Sequence, residues 1–251
     1  MNPLKNTLRK LLLSIGYDIR KTSHIGLDSN FDIQRIFGMR PLRLIFDVGA
    51  HFGETATEYA KRFPEATIYS FEPSPDTFSI LEKNMTSLPR VKTVNSALGD
   101  SCSEQTFFVN RLSATNSLLA ARPDVADEVT RSLMENTRCT KVSVTTLDAF
   151  CRENQISAID LLKIDVQGFE SKVLAGAREL LAEQRIALVY AEAILESHYD
   201  GQTTFPELYS MLSESGFELV DLYSHTRTPH HTTRWCDVLF VNLVALKKSA
   251  K

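Results

Sequence analysis

No two of the four cysteines, Cys102, Cys139, Cys151 and Cys236, stand in C-x-x-C spacing, and none groups with histidine at zinc-ligand intervals. That excludes a zinc ribbon and a disulfide scaffold, and it points to reduced thiols in a cytoplasmic protein. No run of about 18 apolar residues is present to span a bilayer. At the start, "LLLSI" is too short for a signal-peptide core, and no small-residue cleavage site follows it. Positive charge is not in excess either: 28 Lys and Arg stand against 31 Asp and Glu, with a pI near 6.1. The broad basic footprint of a nucleic-acid binder is therefore missing, and no nucleic-acid partner is expected. Repeats and low-complexity tracts are absent. So is G-x-G-x-x-G, the turn that cradles a dinucleotide pyrophosphate.

What remains is an ordinary globular composition, 43 % hydrophobic and 24 % charged over 251 residues. From about residue 42, β-branched and aromatic runs alternate with segments of helical spacing. "RLIFDV", "TIYSFE", "VKTVNSAL", "IDLLKIDV" and "IALVYAEAI" read as strands. "ETATEYAKRF", "SPDTFSILEKNM", "TTLDAFCREN", "GFESKVLAGARELLAEQ" and "TFPELYSMLSESGF" read as helices. Ser74 is placed to cap the second of these, with Pro75 in its first turn. "EQTFFV" and "KVSVTTL" suggest a strand pair around an irregular, polar insertion at about 110–140, a candidate lid. The tail suggests two strands joined by a polar loop of about a dozen residues. Strand-helix alternation predicts a parallel sheet with helices on both faces, and the tail adds one antiparallel strand near its edge.

Several short stretches carry chemistry. In "DVGAHFGET", Gly49 and Gly53 bare the backbone between a strand and a helix N-terminus. Asp47 and Glu54 flank this turn. Carboxylates there repel phosphate and suit a cationic ligand, such as the ammonium and sulfonium of S-adenosylmethionine. The bland alternative is a plain tight turn. Glu72 ends the next strand, at the offset where an acid accepts hydrogen bonds from ribose hydroxyls. Ser96, Ala97 and Leu98 follow the third strand, where an adenine ring would lie. Lys163 and Asp165 interrupt an apolar strand at its ligand-facing end, and Glu192 holds the corresponding place on the next strand. A Lys163–carboxylate pair that only closes the sheet is the competing reading of that stretch.

The succession "FDVGAxxG", "FEPSPxxFxxLxxN", "NSALGD", "TTLDAF", "LLKIDVQGFE" and "DVLFV" resembles the FkbM family of S-adenosylmethionine-dependent methyltransferases, over roughly residues 42–245. The resemblance implies a class I methyltransferase fold: a Rossmann-like α/β domain with a seven-stranded, mostly parallel sheet. It implies O-methylation of a hydroxyl on a sugar, glycan or polyketide-type molecule. Asp47, Gly49, Ala50, His51 and Gly53 would line the methionine side, with Glu72 and Pro73 at the ribose and Asp165 at the transfer centre. Family members commonly carry Asn where this chain has His51, and Glu where it has Gln167. The second difference removes an acid near the centre and keeps a non-catalytic scaffold open as an alternative. A nicotinamide-dependent oxidoreductase is the other, disfavoured by the missing glycine fingerprint.

Methylation of an alcohol needs a base within hydrogen-bond reach of its proton. Asp165, Glu192 and His198, in the crevice loop "ESHYDG", are the candidates, with Lys163 beside them. Asp165, Glu192 and a loop histidine would also suit a divalent ion. The last polar loop, with His225, His230, His231, Arg227, Arg234 and Trp235, is expected to overhang the acceptor. Residues 1–41 read as an N-terminal helical extension to a methyltransferase domain over 42–251. The extension starts with a basic amphipathic helix that would pack on the domain, form a homodimer contact, or lie on an anionic membrane as a peripheral contact.

Overall fold

The strands "IDLLKI" and "IALVYAEAI" are apolar on both faces, so they are stable only between two helical layers. The computed structural model, which describes residues 3–17 and 24–248, has this arrangement. Among the described residues the strands are β1 (Leu44–Val48), β2 (Thr67–Phe71), β3 (Val91–Val94), β4 (Ala97–Leu98), β5 (Ser103–Asn110), β6 (Asn136–Thr145), β7 (Ile159–Ile164), β8 (Ile186–Ile194), β9 (Glu218–Arg227) and β10 (Thr233–Val241). The helices are α1 (Pro3–Ser14), α2 (Ser29–Phe37), α3 (Glu54–Arg62), α4 (Pro75–Met85), α5 (Glu128–Leu133), α6 (Leu147–Glu153), α7 (Glu170–Ala175), α8 (Arg178–Ala182), α9 (Phe205–Glu214) and α10 (Leu243–Lys248).

Seven strands form the main sheet in the order β3-β2-β1-β7-β8-β10-β9. Only β10 runs against its neighbours, between β8 and β9. β2 and β3 step outward from β1 on one side, and β8 steps outward from β7 on the other. The crevice beyond the carboxyl ends of β1 and β7 is thus the switch point where open α/β sheets bind ligands. Alternation along β1 divides the core. Phe46 and Val48 pack with Phe71, Phe150 and Ile164 on one face, and Ile45 packs with Tyr59, Ile68 and Leu161 on the other. Phe46 is fully buried against Tyr69, Phe71 and Phe150, and cutting it to alanine would cost about 3–5 kcal/mol.

Several local expectations change. "VKTVNSAL" is two strands. Asn95 donates to the carbonyls of Glu72 and Pro73, and the Ser96 hydroxyl donates to Ser143 O, so β4 leaves the main sheet and pairs with β6. β4, β6 and β5 make a separate three-stranded sheet. "GFESKVLAGARELLAEQ" breaks into α7 and α8, because the Asp148 carboxylate accepts from Glu179 N and Leu180 N and starts a new helix. Ser74 occupies the N-cap of α4 without a side-chain bond, and its own N–H donates to Glu72 instead. The last two strands run further than expected, leaving only residues 228–232 between them, tied by Thr228 and Thr232. Residues 1–41 also divide. Ile33 and Phe37 of α2 lie in the core, and Asp32 accepts from the Tyr223 hydroxyl at 2.9 Å.

Candidate active site

Segments at the carboxyl ends of β1, β2, β3 and β7 surround one cleft of about 920 Å³, its open mouth included. Of the residues singled out in the sequence, Gly49, Ala50, His51, Glu72, Pro73, Ser96, Ala97, Leu98, Lys163 and Asp165 line it. Asp47, Gly53, Glu192 and His198 do not lie on its wall, and each has a physical reason.

Asp47 is fully buried beneath the cleft. It stands opposite Lys163 in the β1–β7 ladder, so both side chains emerge on one face and meet at 3.1 Å. This contact is a buried ion pair, and Lys163 is the one cation that faces Asp47 among the described residues. Lys163 also donates to Gly49 O at 3.1 Å and lies 3.6 Å from Asp165. Burial opposes its charge, but Asp47 and then Asp165 outweigh burial and hold the ammonium above its ordinary value. Lys163 is therefore a fixed cation that ties β1 to β7, and it has no proton to give up near neutral pH. Of the two acids flanking the glycine turn, only Glu54 reaches the cleft.

The two glycines serve the protein before any ligand. A Cβ on Gly49, at φ 79°, would stand 1.8 Å from Asp165 O. One on Gly53, at φ 91°, would meet Met85 and Leu81 of α4 at 2.5 and 2.8 Å. Bare backbone at Gly49 lets the β1 and β7 turns touch, which brings Asp165 to the same cleft.

His51 has left-handed backbone, φ 49°, a region open to few residues besides Gly, Asn, Asp and His. That is a physical reason for His to replace Asn here. Its N–H donates to Glu72 Oε2 at 3.0 Å, its Nε2 lies 2.9 Å from Ser113 Oγ, and its ring stacks on Phe52. Burial pulls the imidazole below its ordinary value, against Glu54. Glu72 takes the His51 and Ser74 amides on separate oxygens, 3.0 Å each. Burial pushes its carboxyl up to about 7, against those two donors.

The β7 turn is built on Gln167, also left-handed at φ 55°. Its amide nitrogen donates to Asp165 Oδ1 at 3.0 Å and to Glu192 Oε2 at 2.8 Å, and its oxygen accepts from Tyr199 OH at 3.0 Å. Every polar atom of the amide has a partner, and the flipped orientation would set its oxygen against two carboxylates. Glu192 thus stands behind Gln167. Burial, then Asp165, push its carboxyl well above its ordinary value. Of the two candidate acidic bases, Asp165 is the one that lines the cleft. No group of three or more His, Cys, Asp or Glu among the described residues is placed to hold a metal ion.

His198 points away. It is buried, its Nε2 lies 3.2 Å from Glu196, and its ring packs edge-on to Trp235. Arg234 bonds Glu196 as well, and these groups hold the edge of β8 and β10. His225, Arg227, His230 and His231 are exposed, and none of the final loop lines the cleft. The insertion supplies the wall in its place: Ser113, Ala114, Asn116 and Leu118. It is fastened by His51–Ser113, by the Tyr199 hydroxyl, whose one proton is shared between Thr115 O at 2.9 Å and Gln167 Oε1 at 3.0 Å, and by Ser117 Oγ donating to Gln167 O at 2.9 Å. Phe107 and Phe169 complete an apolar slot beside Ala97 and Leu98. The polar composition of the insertion hid these wall residues. Only its position between paired strands hinted at them.

This strand order, with a buried acid at the end of β2 and a cleft at the switch point, defines a class I S-adenosylmethionine-dependent methyltransferase. The described family model for the methyltransferase FkbM domain matches residues 47–219, and the chain belongs to that family. It is similar to the 2-O-methyltransferase NoeI of Sinorhizobium fredii (strain NBRC 101917 / NGR234), 28 % identical over 189 residues, covering 72 % of this chain and 74 % of that protein. It is likewise similar to the 31-O-demethyl-FK506 methyltransferase FkbM of Streptomyces tacrolimicus, 28 % identical over 212 residues, covering 72 % and 75 %. Among solved structures, the METTL16 methyltransferase domain shares the fold, with a TM-score of 0.50 at 11 % identity over 89 % of this chain and 70 % of that one.

Proposed function

We propose that this methyltransferase acts on a hydroxyl of a sugar or related small molecule, with Asp165 as the proton acceptor. The observation that carries the reading is the clamp on Asp165: Gln167 bonds one carboxylate oxygen at 3.0 Å, and Lys163 faces the other at 3.6 Å. The two relatives are named for O-methylation, which supports a hydroxyl acceptor.

The cleft's residues fit the cofactor. Glu72 has a lone pair free on each oxygen beyond its amide bonds, suited to a ribose diol. Glu54 suits a cationic amino-acid end, and the slot between Leu98 and Phe169 suits a flat base. S-adenosylmethionine, when bound, supplies a methyl group on a good leaving group. What the chain must then do is orient the acceptor oxygen and remove its proton. Asp165 takes that proton on its cleft-facing carboxylate. Gln167 keeps the carboxylate in place, and Lys163 balances its charge. Ser113 and Asn116 are the polar groups on the insertion wall that can orient other hydroxyls of the acceptor. Because the Gln167 amide lies between Asp165 and Glu192, the two acids are not arranged around a shared ion, and the reading needs no metal.

The test is methyl transfer to a panel of sugars and small alcohols, with and without chelator, for wild type and Asp165→Asn. Methyl ethers formed in chelator and lost in the variant are expected. Transfer only to amines or thiols, or activity abolished by chelation, would contradict the reading.

A further inference from the structure

Helix α1 and the residues just after it carry an apolar stripe with no cover among the described residues. Leu8, Leu11 and Ile15 fall at helical spacing on one side and are 55 %, 63 % and 63 % exposed, and Tyr17 beyond them is 66 % exposed. Single exposed leucines are ordinary, but a continuous apolar stripe on a helix marks a surface for a partner. The charge around it is one-sided. The first 21 residues hold Lys5, Arg9, Lys10, Arg20 and Lys21 against a single acid, Asp18, and α1 itself has no acid. The chain as a whole has more acids than bases, so this end is opposite in sign to the rest.

From this we infer that α1 docks the enzyme on an anionic lipid surface. A stripe of leucine and isoleucine beside lysine and arginine is the composition of helices that lie in the interface plane: apolar side chains enter the acyl boundary and basic ones meet headgroups. A second copy of the chain is the weaker occupant, since pairing two such helices sets like charges together. No helix of the described residues is long and apolar enough to cross a bilayer, so the contact is peripheral. Docking would present the cleft to acceptors held at, or released near, a membrane.

The test is co-sedimentation of the full chain with vesicles of phosphatidylglycerol and phosphatidylcholine in equal parts, against phosphatidylcholine alone. Wild type should pellet with the anionic vesicles, less so as salt rises. The Leu8→Glu/Leu11→Glu variant should bind about tenfold more weakly or worse, by the cost of losing two buried leucines. Lys10→Glu should bind about fivefold more weakly. A thermal shift by S-adenosylhomocysteine equal to that of wild type shows each variant folded. Equal pelleting of wild type and the double variant would overturn the inference. So would a dimer in sedimentation velocity that the double variant abolishes while wild type ignores vesicles.

Discussion

The turns after β1 and β7 are built alike and do different work. Each places a left-handed non-glycine residue on the cleft wall, His51 at φ 49° and Gln167 at φ 55°. In the β1 turn the backbone lines the cleft, and the acid bound to it, Glu72, comes from the end of a neighbouring strand. In the β7 turn a side-chain amide joins two acids and a tyrosine. The first is a cradle whose shape depends on absent side chains. The second is a clamp whose shape depends on one amide. On the proposed reading, the difference assigns cofactor binding and proton removal to separable residues, although Gly49 O is bonded by Lys163, which in turn faces Asp165.

Breaking the contact between the turns should have the largest effect. Gly49→Ala drives a methyl group into the Asp165 carbonyl, which cannot yield as a flexible side chain would. A loss of more than about 4 kcal/mol is expected in denaturant unfolding, enough to leave little folded protein. Removing only the clamp is milder. Gln167→Leu keeps the shape and deletes the donors to Asp165 and Glu192. Turnover should fall about tenfold to a hundredfold, the worth of a hydrogen bond to a charged group, while cofactor affinity by calorimetry holds.

A pH titration reads the cradle alone. The Glu72 carboxyl titrates near 7 because it is buried, and ribose hydroxyls favour its charged form. Cofactor affinity should therefore rise about tenfold from pH 6 to pH 8, and binding should release a proton near pH 7. Without cofactor the sign reverses. The folded state holds the Glu72 proton more tightly than the unfolded chain, so this group's contribution to stability is full below its ordinary 4.5 and is lost as pH rises through 7. Thermal melts of apo and loaded protein across that range separate the two. The smallest effect is expected from His51→Asn, which keeps the left-handed turn and the amide to Glu72. Cofactor affinity should stay within about threefold of wild type. A large loss of turnover with affinity intact would make the His51 ring part of the acceptor site.

Much of this frame is legible in the sequence. Apolar runs in alternation with helical spacing fix the sheet and its layers, and Glu72 and Asp165 stand out because an acid inside an apolar run is costly unless it is used or paired. Asp47 reads as a cofactor contact because it flanks the glycine turn, but it is buried beneath the cleft and paired with Lys163. Its partner Lys163 is 116 residues away, and only strand register sets the two side by side. His198 misled because a loop after a strand can turn either way, and Glu196, Arg234 and Trp235 turn it from the cleft. Gln167 reads as a loss when compared with an acid at the same position. Its role as a bridge depends on Glu192 and Tyr199, which local sequence does not place.

The division between cradle and clamp is tested most directly by titrating S-adenosylhomocysteine into Glu72→Ala and Asp165→Ala, alongside turnover on an acceptor from the hydroxyl panel. Glu72→Ala should lose more than about tenfold in affinity, as expected when a charged acceptor of ribose hydroxyls is removed. Asp165→Ala should bind within about threefold of wild type and lose about 10²–10⁴-fold in turnover. The reverse pattern, tight binding in Glu72→Ala and turnover surviving in Asp165→Ala, would contradict the account.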